Sequence, residues 1–517
     1  MFRRFFVAGA VVGLLAVSPA DAAVNASATI DARAPGVRIA PEIYGQFAEE
    51  LGQGIEPGIW VGENSPIPNI RGYRRDVVEA LQRLHVPVVR WPGGCYADTY
   101  HWRDGIGPRA KRPVTINYSW GGVEQRNQFG THEYFDFAEL IGAKSYLSVN
   151  IGSGTPAEAR DWLEYVSSSM HSAIADERRA NGREKPWTLD YVGLGNEMWG
   201  CGGNQTAEEA SAIMRRFATY LQIGPNLIAS GASDRDYHWT EVLMGAAGPY
   251  HGPSPFNGVS LHYYTIPTGK WEHKGSAIGF PESEWASTLA RTRELEAIIE
   301  QHAAIMDKAD PEKKIGLMVD EWGTWYDPAP GSNPAFLVQD NTLRDALVAA
   351  TNFHIFQRHA DRVRMTAIAQ MVNVLQSMIR TDGPKMLLTP TYYAYLMYQP
   401  FQGASALPVT ISSPDYAVGA SKLPVVDVTA AKGSDGAIHV ALVNADPHQS
   451  ADVELTVNGA AQGRIGGQVL TAPKMDSRNA FGAPEQVRPV SFAGARWAGG
   501  KLRVSMPAKS IVVLSLK

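Results

Sequence analysis

Eight short apolar runs constrain the fold of this chain more than any other feature, because amphipathic stretches with helical spacing lie between them. Alternation of this kind is typical of βα units around a parallel sheet. The candidate strands are residues 43–45, 86–91, 145–150, 191–197, 227–231, 259–264, 316–321 and 365–370. Eight parallel strands close a barrel. The pattern therefore predicts an α/β fold, a (β/α)8 TIM barrel, over residues 39–390.

Two of the intervening stretches carry clear helix signals. In residues 74–84, Val77, Val78, Leu81 and Leu84 recur at i, i+1, i+4 and i+7. Residues 206–221 begin with Thr206 and have a glutamate three positions later, which is the pattern of a capping box. Both stretches are therefore predicted to be helices of the barrel.

The pattern changes to a period of two after Pro400. Ile438, Val440 and Leu442 alternate with other residues, and turn sequences such as residues 433–436 separate the runs. These features predict a C-terminal β-sandwich, jelly-roll-like, over residues 391–517. The strand-like segment 23–38 precedes the barrel, and we expect it to pair into that sandwich.

The N-terminus has the features of a secretory signal peptide. Arg3 and Arg4 precede an apolar run at residues 5–17, and Ala20 and Ala22 supply a cleavage signature. The run is too short to span a bilayer, although a membrane anchor is the alternative interpretation. We therefore expect residues 1–22 to be removed and the protein to be secreted or periplasmic. The sequence leaves the export route open between the general and twin-arginine pathways.

Charge and motif content exclude several classes of protein. The formal net charge is −5, which argues against a nucleic-acid partner. The sequence has no zinc spacing, no H-E-x-x-H, no P-loop and no dinucleotide fingerprint, so we expect no metal and no cofactor. Cys95 and Cys201 are the two cysteines. They could form a disulfide at the barrel mouth, or remain free and packed, which is the interpretation that we favour.

Carboxylates stand at the ends of two opposite strands of the predicted barrel. Asn196-Glu197 ends the fourth strand and Asp320-Glu321 ends the seventh. Active sites of such barrels form at the carboxyl ends of the strands. A retaining glycosidase needs two carboxyl groups about 5–5.5 Å apart. Nearby aromatic residues could supply apolar faces for a sugar ring; they are Trp91, Trp102, Trp199, Trp322, Trp325, Tyr263 and Tyr264.

Each of these residues also has an ordinary structural interpretation. A single glutamate at a strand end is more often an ion-pair partner, and an aromatic side chain in a βα loop is more often part of the core. The coincidence of both carboxylates with a chain that separately counts to eight strands favours a catalytic pair.

Long segments of the chain resemble the α-L-arabinofuranosidases of glycoside hydrolase family 51. The similar segments are residues 43–52, 90–108, 195–200, 260–264, 319–326 and 368–374. The resemblance departs at Glu50, where the family has a histidine. Because side chains of a strand alternate, only one of Glu49 and Glu50 can face the pocket.

The resemblance implies a role for each matching residue. Glu197 corresponds to the general acid/base, Glu321 to the nucleophile, and Asn196 to a residue that binds the sugar 2-hydroxyl. The implied substrate contacts are Glu49, the backbone near Cys95, Tyr264, Gln370, and the apolar walls Trp102 and Trp325. Arg90 and His262 correspond to residues that orient the nucleophile. The implied activity is release of terminal α-L-arabinofuranosyl residues from polysaccharides or oligosaccharides, with retention of configuration.

Alternatives to this function remain open. Another retaining glycosidase on the same scaffold, such as a β-xylosidase, an endoglucanase or a galactofuranosidase, would keep the same two glutamates. A non-catalytic glycan-binding protein would not need both of them. The expected partner is a carbohydrate, with no nucleic acid and no membrane after signal cleavage, and the resemblance implies a possible homo-oligomer.

Overall fold

A computed structural model of the chain describes residues 23–221, 224–245 and 254–517. Eight parallel strands form a closed barrel in which consecutive strands pair and the eighth pairs with the first. In chain order the strands are Gly45–Phe47, Val88–Trp91, Lys144–Val149, Tyr191–Leu194, Asn226–Ser233, Gly258–Thr265, Gly316–Thr324 and Val363–Ala369. The predicted barrel is therefore confirmed in strand number and order. The proposed signal peptide, residues 1–22, lies outside the described residues.

The first barrel strand begins later than predicted. Pro41–Tyr44 is a short 3-10 helix, and the strand runs over Gly45–Phe47. Ile43 and Tyr44 are buried, as strand residues would be, because one face of this helix packs against the core. A short apolar run does not distinguish these two conformations.

Helices of the barrel connect its strands. They are Arg75–Leu84, Thr131–Ile141, Pro156–Ser167, Ala173–Ala180, Ala207–Tyr220, Tyr237–Met244, Glu282–Ala309, Leu343–Arg358 and Pro390–Tyr398. The predicted capping box is confirmed, since Thr206 accepts the backbone N–H of Glu209 and the Glu209 carboxylate accepts that of Thr206. Such caps satisfy backbone donors that a helix start leaves free.

Two sheets form the C-terminal β-sandwich. The first has the spatial order Val409–Ser412, Val24–Asp31, Ala451–Asn458, Lys501–Met506 and Ala495–Ala498. The second has the order Val37–Arg38, Ser405–Leu407, Val426–Lys432, Ile438–Asn444, Ser510–Leu516, Ile465–Leu470 and Val490–Ser491. The N-terminal strand Val24–Asp31 runs parallel to Ala451–Asn458. From residue 23 onwards, the chain therefore contributes a strand to the sandwich before it enters the barrel.

A buried charged cluster joins the sandwich to the barrel. Asp427, on a sandwich strand, lies against Arg358, Arg293 and His354 of the barrel helices. Burial raises the pKa of Asp427, but Arg358, His354 and Arg293 outweigh that effect and hold it well below its usual value. The ionised carboxylate thus helps to fix the two parts to each other.

Across the described ranges, no helix combines the length and the apolar character needed to cross a membrane.

Candidate active site

Glu321 lies at the carboxyl end of the seventh strand, with both carboxylate oxygens bound. Tyr264 donates its hydroxyl to Oε1 at 2.7 Å, and Arg90 donates Nη1 to Oε2 at 2.9 Å. Arg90 is buried, and its guanidinium lies over the Phe47 ring at 4.4 Å from the centroid. A cationic donor and a hydroxyl therefore fix the orientation of the Glu321 carboxylate, one on each oxygen.

Glu197 approaches Glu321 from the end of the fourth strand. His262 Nδ1 lies 2.9 Å from Glu197 Oε1 and 3.6 Å from Glu321 Oε2. One carboxylate oxygen from each glutamate and the His262 nitrogen all lie within 4.8 Å of one another. The predicted carboxylates are therefore brought together at one point of the barrel mouth.

His262 carries a positive charge between the two glutamates. Burial alone would lower its pKa, but the carboxylates of Glu321, Asp320 and Glu197 raise it to about 10. Asp320 accepts hydrogen bonds from Tyr146 and Ser260 at 2.5 and 2.6 Å. Burial raises the pKa of Asp320, but His262 and Arg90 lower it to about 2. Asp320 is therefore an anion that holds the cation in place.

Glu49, and not Glu50, faces the cavity. Glu49 Oε1 accepts the backbone N–H of Gly94 and the indole of Trp120, both at 2.9 Å, and Oε2 accepts the Gln370 amide at 3.0 Å. Burial and the nearby Glu321 charge raise the pKa of Glu49 to about 7. Glu50 points away and accepts the Gln125 amide at 3.0 Å, so the alternation argument is resolved in favour of Glu49.

Arg90 also fixes the amide of Asn196. Its Nη2 donates to Asn196 Oδ1 at 2.6 Å, which leaves the Asn196 Nδ2 group as the donor available to a ligand. A Cβ on Gly94 would lie 3.3 Å from the Asn196 amide and from Glu321 Oε2, so a glycine keeps this part of the cavity open.

The backbone at Glu197 is in an unusual conformation that its neighbours hold. Its φ is 44°, in the left-handed region that residues with a Cβ seldom adopt. The Glu197 carbonyl accepts the N–H groups of Gly200 and Gly202 at 2.7 and 3.1 Å. Asp98 accepts the N–H of Asn196 at 2.9 Å. These bonds aim the side chain of Glu197 at the cavity.

The cavity above these residues has a volume of about 340 Å³. Six of the residues predicted from the sequence line it: Glu49, Cys95, Glu197, Tyr264, Glu321 and Trp325. Asn196 and Gln370 are not among the lining residues: Gln370 donates to Glu49 in the wall, and Asn196 accepts from Arg90, which also binds Glu321. The predicted site is thus assembled from strand ends that are far apart in the sequence.

Trp102 does not line this cavity, which corrects the sequence-based assignment. It is buried and parallel to Trp162, with ring centroids 6.3 Å apart, and its indole donates to the carbonyl of Glu158 at 3.1 Å. Trp91 and Trp322 are also buried in the core rather than exposed to a ligand. These side chains contribute to packing.

Trp120 occupies the position in the wall that was assigned to Trp102. It lines the cavity and donates its indole N–H to Glu49. Both tryptophans follow the second strand, so position in the sequence could not separate them. Trp120 belongs to the loop of a hairpin formed by Thr115–Asn117 and Val123–Gln125, which folds back towards Glu49.

The two cysteines form a disulfide, contrary to the interpretation favoured from the sequence. Their Cα atoms are 5.5 Å apart, although 106 positions separate them in the chain. Cys201 Sγ lies 3.8 Å from Glu197 Oε2 and 3.6 Å from the Asn196 amide nitrogen. The disulfide therefore borders the acid/base candidate.

Two groups among the described residues have the proximity that a metal ion requires. The first combines Glu197 with Cys95 and Cys201, whose sulfurs are bonded to each other and offer no thiolate. The second combines Glu197, His262 and Glu321. The members of this second group already contact one another, since His262 Nδ1 lies 2.9 Å from Glu197 Oε1 and 3.6 Å from Glu321 Oε2.

Family models and individual relatives both match the chain. The model described as α-L-arabinofuranosidase 1 domain matches residues 80–271, and the α-L-arabinofuranosidase C-terminal domain matches residues 320–510. An intracellular exo-α-L-arabinofuranosidase from Bacteroides ovatus is 47% identical over 95% of this chain and 96% of the relative. A probable α-L-arabinofuranosidase C from Aspergillus flavus is 32% identical over 93% and 95%.

The Bacteroides relative overturns the predicted localisation. It is described as intracellular and matches nearly the whole chain. The prediction of a secreted or periplasmic protein, which rested on residues 1–22, is therefore wrong. A short apolar N-terminal run with two arginines was not sufficient for that conclusion.

Solved structures extend the match to three dimensions. The GH51 arabinofuranosidase from Xanthomonas axonopodis pv. citri superimposes with a TM-score of 0.93 at 50% identity, over 96% of this chain and all of that one. An arabinose complex of the Thermotoga maritima α-L-arabinofuranosidase has a TM-score of 0.82 at 28% identity, over 95% and 99%. The predicted family and activity are confirmed. The chain belongs to the α-L-arabinofuranosidases of glycoside hydrolase family 51.

Proposed function

We propose that Glu321 is the nucleophile and Glu197 the general acid/base of a double displacement that releases terminal α-L-arabinofuranosyl residues with retention. The approach of their carboxylate oxygens to within 4.8 Å carries this proposal. A retaining pair is about 5–5.5 Å apart, whereas an inverting pair needs about 6.5–9.5 Å for an intervening water.

The surroundings of the two glutamates support different roles. Tyr264 and Arg90 bind the two oxygens of Glu321, which suits an anion that attacks the anomeric carbon. Glu197 Oε1 accepts from His262, and Oε2 has the disulfide sulfur of Cys201 as its neighbour. A proton on Oε2 is therefore free to pass to the leaving oxygen. In the second step Glu197 takes a proton from the water that attacks the glycosyl ester of Glu321.

Polar and aromatic groups around Glu197 and Glu321 bind the substrate in this proposal. Glu49 offers carboxylate oxygens to sugar hydroxyls, and the Asn196 amide offers a donor that Arg90 has oriented. Trp120 and Trp325 supply apolar walls. This arrangement supports recognition of a single terminal sugar from a polysaccharide or oligosaccharide. The exo action named for the Bacteroides relative is consistent with it. A homo-oligomer remains a prediction.

The test is hydrolysis of 4-nitrophenyl α-L-arabinofuranoside by the wild type and by Glu321→Ala and Glu197→Ala. We expect Glu321→Ala to lose a factor of about a thousand or more in kcat. Glu197→Ala should regain turnover with azide, because azide attacks the glycosyl-enzyme without a general base. Proton NMR of the first product should show the α anomer. A first product with the β configuration would contradict the retaining mechanism.

A further inference from the structure

Trp271 is an exposed aromatic side chain at the rim of the active-site cavity. It lies in the loop after the sixth barrel strand, lines the cavity, and keeps 55% of its surface exposed. We propose that its indole face is the platform for the sugar ring to which the arabinofuranosyl residue is attached. This inference rests on the catalytic roles proposed for Glu197 and Glu321.

A continuous row of aromatic rings connects Trp271 with the nucleophile. The ring centroid of Trp271 is 5.3 Å from that of Trp325, with the planes at 83°. Trp325 in turn lies 4.8 Å from Tyr264, whose hydroxyl binds Glu321. Two ring contacts therefore connect the exposed Trp271 indole with Tyr264, which binds the carboxylate of Glu321.

The loop that carries Trp271 is held in place by Asp327. The Asp327 carboxylate accepts the backbone N–H of Lys274 at 2.9 Å and that of Gly275 at 3.3 Å. Lys274 Nζ donates to the Trp271 carbonyl at 2.8 Å and lies 5.7 and 5.8 Å from the ring centroids of Trp271 and Trp325. A platform held in this way loses little conformational entropy when a ligand binds.

The cavity extends on the side of the proton donor. Glu197 follows the fourth strand, and the lining continues over the ends of the neighbouring fifth and sixth strands and onto the helix Glu282–Ala309. The residues of this extension are Ser233, Asp234, Arg235, Ile266, Gly269, Arg291 and Glu294. Because the general acid protonates the leaving oxygen, the leaving group must lie on this side.

The chemistry of the extension fits a neutral sugar. Arg235 and Glu294 neutralise each other in an ion pair at 2.6 Å, and they offer donors and acceptors to hydroxyl groups. When the C–H face of a sugar ring stacks on the indole, it removes apolar indole surface from water. This burial of exposed aromatic surface favours binding. The proposed occupant is therefore the penultimate sugar of an uncharged glycan.

The test compares two substrates that share the arabinofuranosyl residue. Methyl α-L-arabinofuranoside has no second ring, whereas α-1,5-linked arabinotriose presents one. We expect Trp271→Ala to raise KM for arabinotriose about tenfold and to leave kcat/KM for the methyl glycoside within about twofold. Trp271→Phe should restore most of the loss. An equal change on both substrates, or no change on either, would overturn the proposal.

Tyr220→Ala supplies a matched control. Tyr220 is 55% exposed, as Trp271 is, it ends the helix Ala207–Tyr220, and it is not among the residues that line the cavity. Its removal should leave the ratio of the two kcat/KM values unchanged, and circular dichroism should show that both alanine variants are folded. A wild type without turnover of either substrate would contradict the catalytic roles instead, so the two failures are distinguishable.

Discussion

The carboxylate of Asp98 accepts the backbone N–H of Asn196 at 2.9 Å, directly before Glu197, the proposed acid/base. Its other oxygen accepts the N–H groups of Ile151 and Gly152, both at 2.9 Å. Asp98 thus ties the end of the third strand to that of the fourth. Burial raises its pKa to about 6, against the opposing effect of the three N–H donors. It does not line the cavity and acts through the backbone.

Asp98→Asn should impair positioning more than binding. The amide oxygen of the new asparagine side chain can accept the N–H groups of Ile151 and Gly152, but its NH2 group then faces the N–H of Asn196. Two donors cannot hydrogen-bond to each other, so the bond that holds the Asn196 backbone is lost. We expect kcat to fall about tenfold to a hundredfold, which corresponds to about 1.4–2.7 kcal/mol, with KM changed little. Steady-state kinetics with 4-nitrophenyl α-L-arabinofuranoside measure this. A rise in KM at constant kcat would contradict the positioning role.

Trp120→Phe and Trp102→Phe should have opposite consequences. Loss of the Trp120 indole removes a donor to Glu49 in the cavity wall, so kcat/KM should fall about tenfold at little change in stability. Trp102→Phe removes a buried bond to the Glu158 carbonyl and packing volume, so it should lower the melting temperature with kcat/KM nearly unchanged. Kinetics and scanning fluorimetry on both variants check this. The reverse pattern would restore Trp102 as the wall residue.

His262 should make the folded protein less stable at alkaline pH. Its pKa is raised to about 10, so the imidazolium persists below that value and is lost as the pH rises through it. The stability that it contributes is complete below the ordinary histidine pKa of about 6.5 and disappears between there and about 10. Without the cation, Asp320 and Glu321 lose the positive charge that lies 3.4 and 3.6 Å from their carboxylates.

The measurement is the melting temperature of the wild type and of His262→Asn between pH 6 and 11. We expect the wild type to lose stability as the pH rises from about 6.5 towards 10, while the variant, which has no cation to lose, should change less. The difference between the two melting temperatures should therefore shrink over that range. A difference that stays constant from pH 6 to 11 would contradict the positive charge on His262.

The barrel could be predicted because seven of its eight strands are apolar runs long enough to be distinguished and are bounded by turn residues. The capping box at Thr206 could also be predicted, because it depends only on two residues three positions apart in the sequence. The location of Glu197 and Glu321 at the barrel mouth could also be predicted, since the end of a barrel strand is a fixed place in the fold. Their mutual distance follows from topology rather than from local sequence.

The features that failed depend on tertiary contacts. Trp102 and Trp120 share one long loop, and only the hairpin contact with Glu49 decides which ring reaches the cavity. The Cys95–Cys201 approach depends on loops from two different strands. Ile43 is buried by a helical turn where the sequence suggested a strand. In each case the local sequence pattern is compatible with both the predicted and the observed arrangement, so the pattern could not distinguish them.

Glu49→Gln and Glu50→Gln form a matched pair of adjacent variants. Burial and Glu56 raise the pKa of Glu50 well above its usual value, and Glu50 does not line the cavity, so an amide should replace it with little change in activity. Glu49 faces the cavity, and loss of its carboxylate should reduce kcat/KM about tenfold to a hundredfold, as expected for a hydrogen bond to a charged group. Steady-state kinetics of both variants on 4-nitrophenyl α-L-arabinofuranoside measure the two changes in kcat/KM. Equal losses in both variants would refute the assignment of Glu49 alone to the cavity.

The Cys95–Cys201 disulfide should stabilise the barrel and support the acid/base. It closes a long loop, since 106 positions separate the cysteines. A double variant with alanine at both positions should lose about 2–4 kcal/mol of stability, seen as a melting temperature several degrees lower. Cys201 Sγ borders Glu197 and Asn196, so kcat should fall as well. Reduction of the wild type should reproduce both effects, and the double variant should not respond to reductant. Two free thiols in the unreduced, unfolded wild type would show that the bond is absent.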